Sequence, residues 1–275
     1  MGVAEVRRAL AEDHATNDVT TLLLGAAAGA PASARFVAEA RFVVAGVPVV
    51  ASVFHELDVQ SQLTPDIAEG DWAAPGEVIA TVRGNAAALL GGERVALNFI
   101  QRLSGIATLT RRAVDNVAGT RARITHTRKT TPGLRALEVY AVRVGGGVDN
   151  RASLADAILW KDNHWALLAQ NGDSLAAALR RGSAGIPVIV EVESSEQLEE
   201  ALAAGVQHVL VDNQSPQRLA DWAHRAGPGV TIQASGGITV DNVRAYAEAG
   251  ATLIAIGALT HSAPAAPIRC DLVTV

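Results

Sequence analysis

From about residue 120 onward, short apolar runs alternate with amphipathic segments, and this alternation limits the possible folds more than any other feature. The runs are Ala122–Thr127, Ala157–Lys161, Pro187–Val192, His208–Val211, Thr231–Ala234 and Thr252–Ile256. Helical patterns lie between them, among them Leu134–Val144, Ser195–Ala204, Pro216–Ala226 and Val240–Ala249. Several stop at Ala-Gly, and Ser194 with Gln197 reads as a capping box at a helix start. Strand–helix repetition at this spacing implies parallel strands joined by right-handed crossovers. Six such units, two fewer than a closed barrel of about eight, predict an incomplete α/β barrel.

Residues 1–92 have another texture. Ala38–Ala45, Val47–Leu57 and Val78–Val82 read as strands of a mixed or antiparallel sheet, with turns at Gly46-Val47-Pro48, Thr64-Pro65-Asp66 and Pro75-Gly76. A long helix follows, from about Gly92 to Val117, interrupted near Ser104-Gly105. The expected organisation is a first domain over 1–104 and a barrel over 105–263. Pro264 and Pro267 break the tail, so residues 264–275 are expected to leave the barrel and return to the first domain.

At 275 residues the chain has ample core for this plan, and 49% apolar against 19% charged residues argues against disorder. The longest apolar stretch, Phe42–Phe54, is broken by Gly46, Pro48 and Ser52, and is shorter than the roughly 18 residues of a membrane helix. The first residues lack a signal-peptide core. A lone Cys270 excludes an intrachain disulfide or a cysteine zinc site. The net charge of −5 gives no support for nucleic-acid binding. A cytoplasmic protein without membrane or nucleic-acid partners is expected.

The charge is unevenly placed. Residues 94–161 carry twelve basic side chains against four acids. Arg111, Arg112, Arg121 and Arg123 suit a solvated helix face, but focused positive charge in a cleft draws small anions. Of the 23 basic residues only Lys129 and Lys161 are lysine. Arginine does not replace lysine where a compact, titratable ammonium is needed, and both lysines fall at carboxyl ends of expected strands.

Parallel α/β folds bind ligands at those ends. The first strand ends in Thr127-Arg128-Lys129-Thr130-Thr131 and the second in Lys161-Asp162-Asn163-His164. The third carries Glu191 and Glu193, and the fourth ends in Asp212-Asn213. The fifth ends in Ser235-Gly236-Gly237 and the sixth in Gly257-Ala258. Arg128, Lys129, Arg151 and Lys161 suit a di-acid substrate, since without an anion four crowded cations repel. Glu193 and Asp212 suit Mg²⁺, which takes few carboxylates, or salt bridges to arginines. Ser235-Gly236-Gly237, ahead of a helix expected at Val240, suits a phosphate at a helix N-terminus. Gly145-Gly146-Gly147 follows a helix and is no dinucleotide fingerprint. It reads as a loop positioning Asn150 and Arg151. His126 reads as structural or as a residue that supports the site from behind, and His164 as packed at a strand end in preference to a catalytic role.

These residues, in this order, carry a family resemblance. Glu12-Asp13, Asp18-Val19-Thr20-Thr21, Glu93-Arg94-Val95-Ala96-Leu97-Asn98, Leu103-Ser104-Gly105-Ile106-Ala107-Thr108, the Thr127–Arg135 run, Gly145-Gly146-Gly147, Lys161-Asp162-Asn163-His164, Glu191-Val192-Glu193, Val211-Asp212-Asn213, Ser235-Gly236-Gly237 and Gly257–Ser262 together resemble quinolinate phosphoribosyltransferase. The resemblance spans nearly the whole chain. It implies an N-terminal α/β open sandwich, a six-stranded incomplete α/β barrel and a homodimer.

The implied reaction joins quinolinate to phosphoribosyl pyrophosphate with Mg²⁺, giving nicotinate mononucleotide, pyrophosphate and CO₂ in NAD biosynthesis. The resemblance implies that Arg128, Arg151 and Lys161 contact the pyridine carboxylates, with Asn150 beside them and Lys129 close to substrate and phosphates. It gives Glu193 and Asp212 to the metal and ribose. It gives Ser235, Gly236, Gly237, Gly257 and Ala258 to the 5′-phosphate. Arg94 resembles an arginine that reaches into the partner's site. Lys129, Lys161, Glu193 and Asp212 carry the chemistry in this reading. Three positions depart from the pattern: Asn150 replaces a histidine, Val139 a lysine and Gln233 a glutamate. Two other functions fit these departures, a phosphoribosyltransferase for another aromatic carboxylate and a non-catalytic binder of anionic nucleotides.

Overall fold

The computed structural model describes residues 1–182 and 185–274. In chain order its elements are α1 (Val3–Glu12), α2 (Val19–Leu22), β1 (Pro31–Ala38), β2 (Phe42–Val43), α3 (Val47–Leu57), β3 (Gln62–Pro65), β4 (Trp72–Ala73), β5 (Val78–Asn85) and α4 (Ala86–Asn116). There follow β6 (Arg123–Thr125), α5 (Arg135–Val144), β7 (Ile158–Trp160), α6 (Asp162–Gln170), α7 (Leu175–Arg180), β8 (Val188–Val192) and α8 (Ser195–Ala203). The last are β9 (His208–Asp212), α9 (Pro216–Ala226), β10 (Thr231–Ser235), α10 (Val243–Glu248), β11 (Leu253–Ala255), α11 (Ala258–His261) and β12 (Ile268–Thr274). Among the described residues no helix is long and apolar enough to cross a membrane.

Two compact units emerge: Met1–Arg111 with Thr130–Gly146 and Thr260–Val275, and Arg112–Lys129 with Gly147–Leu259. The division between these units falls inside α4, after Arg111, and α5 groups with the first unit. Polar ties explain that grouping. Arg102 of α4 donates to the buried Glu138 of α5 through Nε at 3.1 Å and Nη2 at 2.8 Å. Arg111 Nε donates to the Gly145 carbonyl at 3.0 Å.

The first unit is built on an antiparallel sheet of order β12-β1-β5-β3. The tail supplies an edge of it: β12 pairs along β1 from Ala38↔Ile268 to Ala32↔Thr274. One face buries Phe36 edge-on against Phe54 of α3, ring centroids 6.1 Å apart. Burying each such side chain stabilises by roughly 1.5–3 kcal/mol.

Here the sequence expectation fails at Val47–Leu57, which is the helix α3 and not a strand. Its buried residues Val47, Val50, Val53 and Phe54 recur at helical spacing, and Pro48 lies in the first turn, where its missing N–H costs nothing. The Glu69 carboxylate accepts the N–H groups of Gly46 at 2.8 Å and Val47 at 2.7 Å, satisfying the helix start. The run Ala38–Ala45 is likewise divided: β1 ends at Ala38, and Phe42–Val43 belongs to a separate two-stranded sheet with β4.

The helix α4 runs its 31 residues without the interruption expected near Ser104-Gly105. Gly105 serves packing instead. A Cβ there would lie 2.0 Å from the Pro264 carbonyl oxygen, so the absent side chain is what admits the tail backbone against the helix.

The second unit holds a wholly parallel six-stranded sheet of order β6-β11-β10-β9-β8-β7. It has the incomplete-barrel strand set that the alternation implied. Residues 148–151 occupy its open side. Val148 bridges Thr125 of β6, and Arg151 Nη1 donates to the Ala157 carbonyl, just ahead of β7, at 3.3 Å.

Candidate active site

At the carboxyl ends of these strands lies a cleft of about 360 Å³. Strand alternation builds its wall. Inward positions follow one another with a period of two: Leu159 then Lys161, Ile189 then Glu191, Leu210 then Asp212, Gln233 then Ser235. The lower ring is apolar except for Gln233, and the upper ring is polar. Thr127, Arg128, Lys129, Asn150 and Arg151 complete the lining from the loops beside β6 and β7. Of the expected residues, the fold therefore brings Arg128, Lys129, Asn150, Arg151, Lys161, Asp212 and Ser235 to one cleft.

The cations there are only partly compensated. Lys161 Nζ lies 3.1 Å from Glu191 Oε2. Glu191 is buried, and burial pushes its carboxyl above the ordinary range, with Lys161 pulling it back down and Asp212 and Asp162 adding to the rise. Burial and the neighbouring Arg128 both lower the pKa of Arg151, against the pull of Glu191 and Asp156. The Arg128 Nε is buried with no hydrogen-bond partner. Two guanidiniums that disfavour each other, one holding an unused donor, form a receptor for an anion.

Asn150 is more deeply committed to the fold than its sequence position suggests. Its Nδ2 donates to the His126 carbonyl at 3.0 Å, and its Oδ1 accepts the Arg151 N–H at 2.9 Å. Its own N–H donates to His126 Nε2 at 3.2 Å. His164 is not packed at a strand end as expected. It is exposed, its Nδ1 accepting the Lys161 N–H at 3.0 Å to cap α6, with its ring 5.4 Å from that of Trp160.

Glu193 is exposed beyond the end of β8 and is not part of the cleft lining. Gln214 keeps it beside Asp212: its Nε2 donates to the Asp212 carbonyl at 3.0 Å and the Glu193 carbonyl at 3.4 Å. Gly236, Gly237, Gly257 and Ala258 follow β10 and β11 outside the lining residues. Gly236 has φ +89° and a Cβ there would lie 2.1 Å from Asn213 Oδ1, so this turn is compatible only with glycine. The helix expected at Val240 begins at Val243, because Asn242 first closes a turn by accepting the Thr239 N–H at 2.8 Å and donating to the Gly237 carbonyl at 3.2 Å. The glycines are thus separated from that helix start. Arg94 is exposed on α4 in the first unit, outside this cleft.

Three polar lining residues have no role in the expected site: Thr127, Glu191 and Gln233. Strand alternation places Glu191 on the same inward face as Ile189, a signal available in the sequence. Gln233 is 1% exposed; its Oε1 lies 2.7 Å from His208 Nε2, and its Nε2 is buried without a partner. A larger cavity of about 660 Å³ lies within the first unit. Its cations Arg8 and Arg102 are matched by Glu5, Glu12, Asp13 and Glu138, so it lacks the surplus positive charge of the barrel cleft.

Comparison with known proteins shows which sequences and folds the chain resembles. The sequence model of the quinolinate phosphoribosyl transferase N-terminal domain matches residues 18–104, and that of the C-terminal domain matches residues 106–271. A probable nicotinate-nucleotide pyrophosphorylase [carboxylating] of Bacillus subtilis is 42% identical over 264 residues, covering 95% of this chain and 90% of that protein. The nicotinate-nucleotide pyrophosphorylase [carboxylating] of Mycobacterium leprae is 40% identical over 273 residues, covering 97% and 95%. The crystal structure of NadC from Streptococcus pyogenes superposes with a TM-score of 0.91 at 34% identity, covering 99% of this chain and 96% of that one.

Proposed function

Given that the chain belongs to the quinolinate phosphoribosyl transferase family, we propose that the barrel cleft is where its reaction takes place. The enzyme transfers phosphoribose from phosphoribosyl pyrophosphate to quinolinate with loss of CO₂. The products are nicotinate mononucleotide, pyrophosphate and CO₂, in NAD biosynthesis. The observation that carries the site assignment is the undercompensated cation group around Arg128, Arg151 and Lys161. Quinolinate brings the two carboxylates that such a group lacks.

Arg128 and Arg151 offer planar forks to those carboxylates, and the Arg128 Nε gains its missing acceptor. Lys161, held toward the cleft by Glu191, adds a point charge near the ring. Fixing the ring against the sugar carbon converts an encounter into an oriented attack. As pyrophosphate departs, positive charge develops on the sugar, and Asp212 on the opposite wall stabilises it. Loss of CO₂ leaves electron density on the ring, which the cationic ring nitrogen and the Lys161 ammonium accommodate. Lys129 is placed for the substrate and phosphates, and Ser235, Gly236, Gly237, Gly257 and Ala258 for the 5′-phosphate.

Among the described residues no three His, Cys, Asp or Glu side chains cluster as a metal cage. Mg²⁺ needs fewer, and the hard carboxylates of Glu193 and Asp212, on strand ends tied by Gln214, fit it. When bound there, Mg²⁺ supplies neutralisation of pyrophosphate charge. A homodimer in which Arg94 enters the partner's site completes the reading. Arg94 is exposed, and Val19, Leu22 and Leu23 are exposed apolar side chains of the same unit.

The test is mass analysis of products from quinolinate, phosphoribosyl pyrophosphate and Mg²⁺. Nicotinate mononucleotide with equimolar CO₂ is expected. A phosphoribosylated product that keeps both carboxylates, or binding without turnover, overturns the reading. Mixing Arg94→Ala and Lys161→Ala variants, each expected to be impaired alone, should raise activity above that of either if sites are shared between copies; no recovery refutes the sharing.

A further inference from the structure

A buried imidazole helps to hold the open side of the barrel. His126, 1% exposed, follows β6 and is absent from the residues lining the cleft, which include its neighbours Thr127 and Arg128. Its Nε2 accepts the Asn150 N–H at 3.2 Å, so the proton belongs on Nδ1, which lies 3.3 Å from the Thr127 carbonyl. The Asn150 amide returns the link by donating to the His126 carbonyl at 3.0 Å and receiving the Arg151 N–H at 2.9 Å. Side chain and backbone of both residues thus form a closed set of hydrogen bonds. It joins the segment that carries Arg128 and Lys129 to the segment that carries Arg151. Among the described residues, the Thr125–Val148 bridge is the one sheet pairing that also does so.

Arg128 and Arg151 are like charges lining one cleft and disfavour one another electrostatically. We propose that His126 is a positioning residue that, through Asn150, holds Arg151 at the separation from Arg128 that a pyridine dicarboxylate spans. This rests on the functional reading above and deepens it. Position 150, where the family pattern has a histidine, is here a hydrogen-bonding amide served by an imidazole from the neighbouring strand end. His126 touches no substrate in this arrangement. Its role is to set the spacing of two guanidiniums, and its loss costs substrate affinity before it costs chemistry.

The experiment measures steady-state kinetics for both substrates in His126→Leu, His126→Gln and Asn150→Ala, and in the His126→Leu/Asn150→Ala double variant. His126→Leu is expected to raise KM for quinolinate about tenfold, with kcat changed less than threefold and KM for phosphoribosyl pyrophosphate unchanged. His126→Gln keeps an acceptor for the Asn150 N–H and should recover most of the loss. Asn150→Ala should reproduce the same split, and the double variant should be no worse than the worse single one, because both act through one linkage. A KM for quinolinate within twofold of the parent in both His126→Leu and Asn150→Ala overturns the inference. So does an equal rise for both substrates, or additive losses in the double variant. If His126→Leu does not fold, Asn150→Ala and His126→Gln alone decide it. Failure of the parent enzyme to use quinolinate would instead defeat the functional reading.

Discussion

Removing the Glu138 carboxylate tests how the first unit is held together. Glu138 is fully buried on α5 and accepts from Arg102 Nε and Nη2 at 3.1 and 2.8 Å. It also accepts from the Thr131 N–H at 3.1 Å and the Thr131 hydroxyl at 2.8 Å. Glu138→Ala leaves those donors without an acceptor. Breaking a buried ion pair by deleting one partner costs about 3–5 kcal/mol. The lower end applies here, because the Arg102 side chain is 27% exposed and keeps the carbonyls of Ala263 and Thr260. The expected loss is therefore about 3 kcal/mol. Glu138→Gln, which retains one acceptor but turns an N–H toward existing donors, should lose about 1–2 kcal/mol. Urea unfolding followed by far-UV circular dichroism, extrapolated linearly to water, provides the measurement. A loss below about 1 kcal/mol for Glu138→Ala would refute the view that this network ties α5 to α4.

Four further outcomes are expected. Gly105→Ala sets a Cβ against the Pro264 carbonyl and should destabilise by about 1–3 kcal/mol; an unchanged Tm contradicts the close approach. Burial lowers the pKa of His208 from 6.5, so its contribution to stability is full above about that value and lost as pH falls toward the lowered native value. The dependence of unfolding free energy on pH between about 7.5 and 5.5 should flatten in His208→Leu, and an unaltered slope refutes this. Lys161→Ala and Arg128→Ala should each cut turnover at least roughly tenfold, about 1.4 kcal/mol of barrier, and unchanged rates would remove them from the site. Asn150→His restores the family's residue but removes the amide bonds to His126 and Arg151. It should raise KM for quinolinate, whereas an improvement would mean that the missing imidazole matters more than the bonds.

The parallel half was legible because each strand is a short apolar run, and several polar residues of the cleft, Lys161, Asp212 and Ser235 among them, sit at the end of one. The same rule located Arg128, Lys129, Lys161 and Asp212 before any coordinates. Reading Val47–Leu57 as a strand followed β-branched composition. The helix start is satisfied by Glu69, about 22 residues downstream, which no local pattern encodes. Gly105 looked like a break because glycine is a poor helix former, and only the approach of residue 264 from far along the chain explains it. Val139, expected as a lysine by family pattern, is 5% exposed in the core of the first unit, where an ammonium would need a partner. Gln233 replaces a charge with an amide whose carbonyl is engaged by His208. That pairing joins adjacent strands and cannot be read from either run alone.

The pairing of β12 with β1 has a consequence for synthesis. Ile268 meets Ala38, roughly 230 residues earlier in the chain. The barrel unit, by contrast, lies almost wholly between Arg112 and Leu259. Synthesis runs through that whole stretch before the strand that finishes the first unit's sheet exists. Until then β1 presents an open edge, a row of unpaired N–H and carbonyl groups able to recruit a neighbouring nascent chain. The sheet that β1 begins is therefore closed only by a seven-residue strand made about 230 residues later.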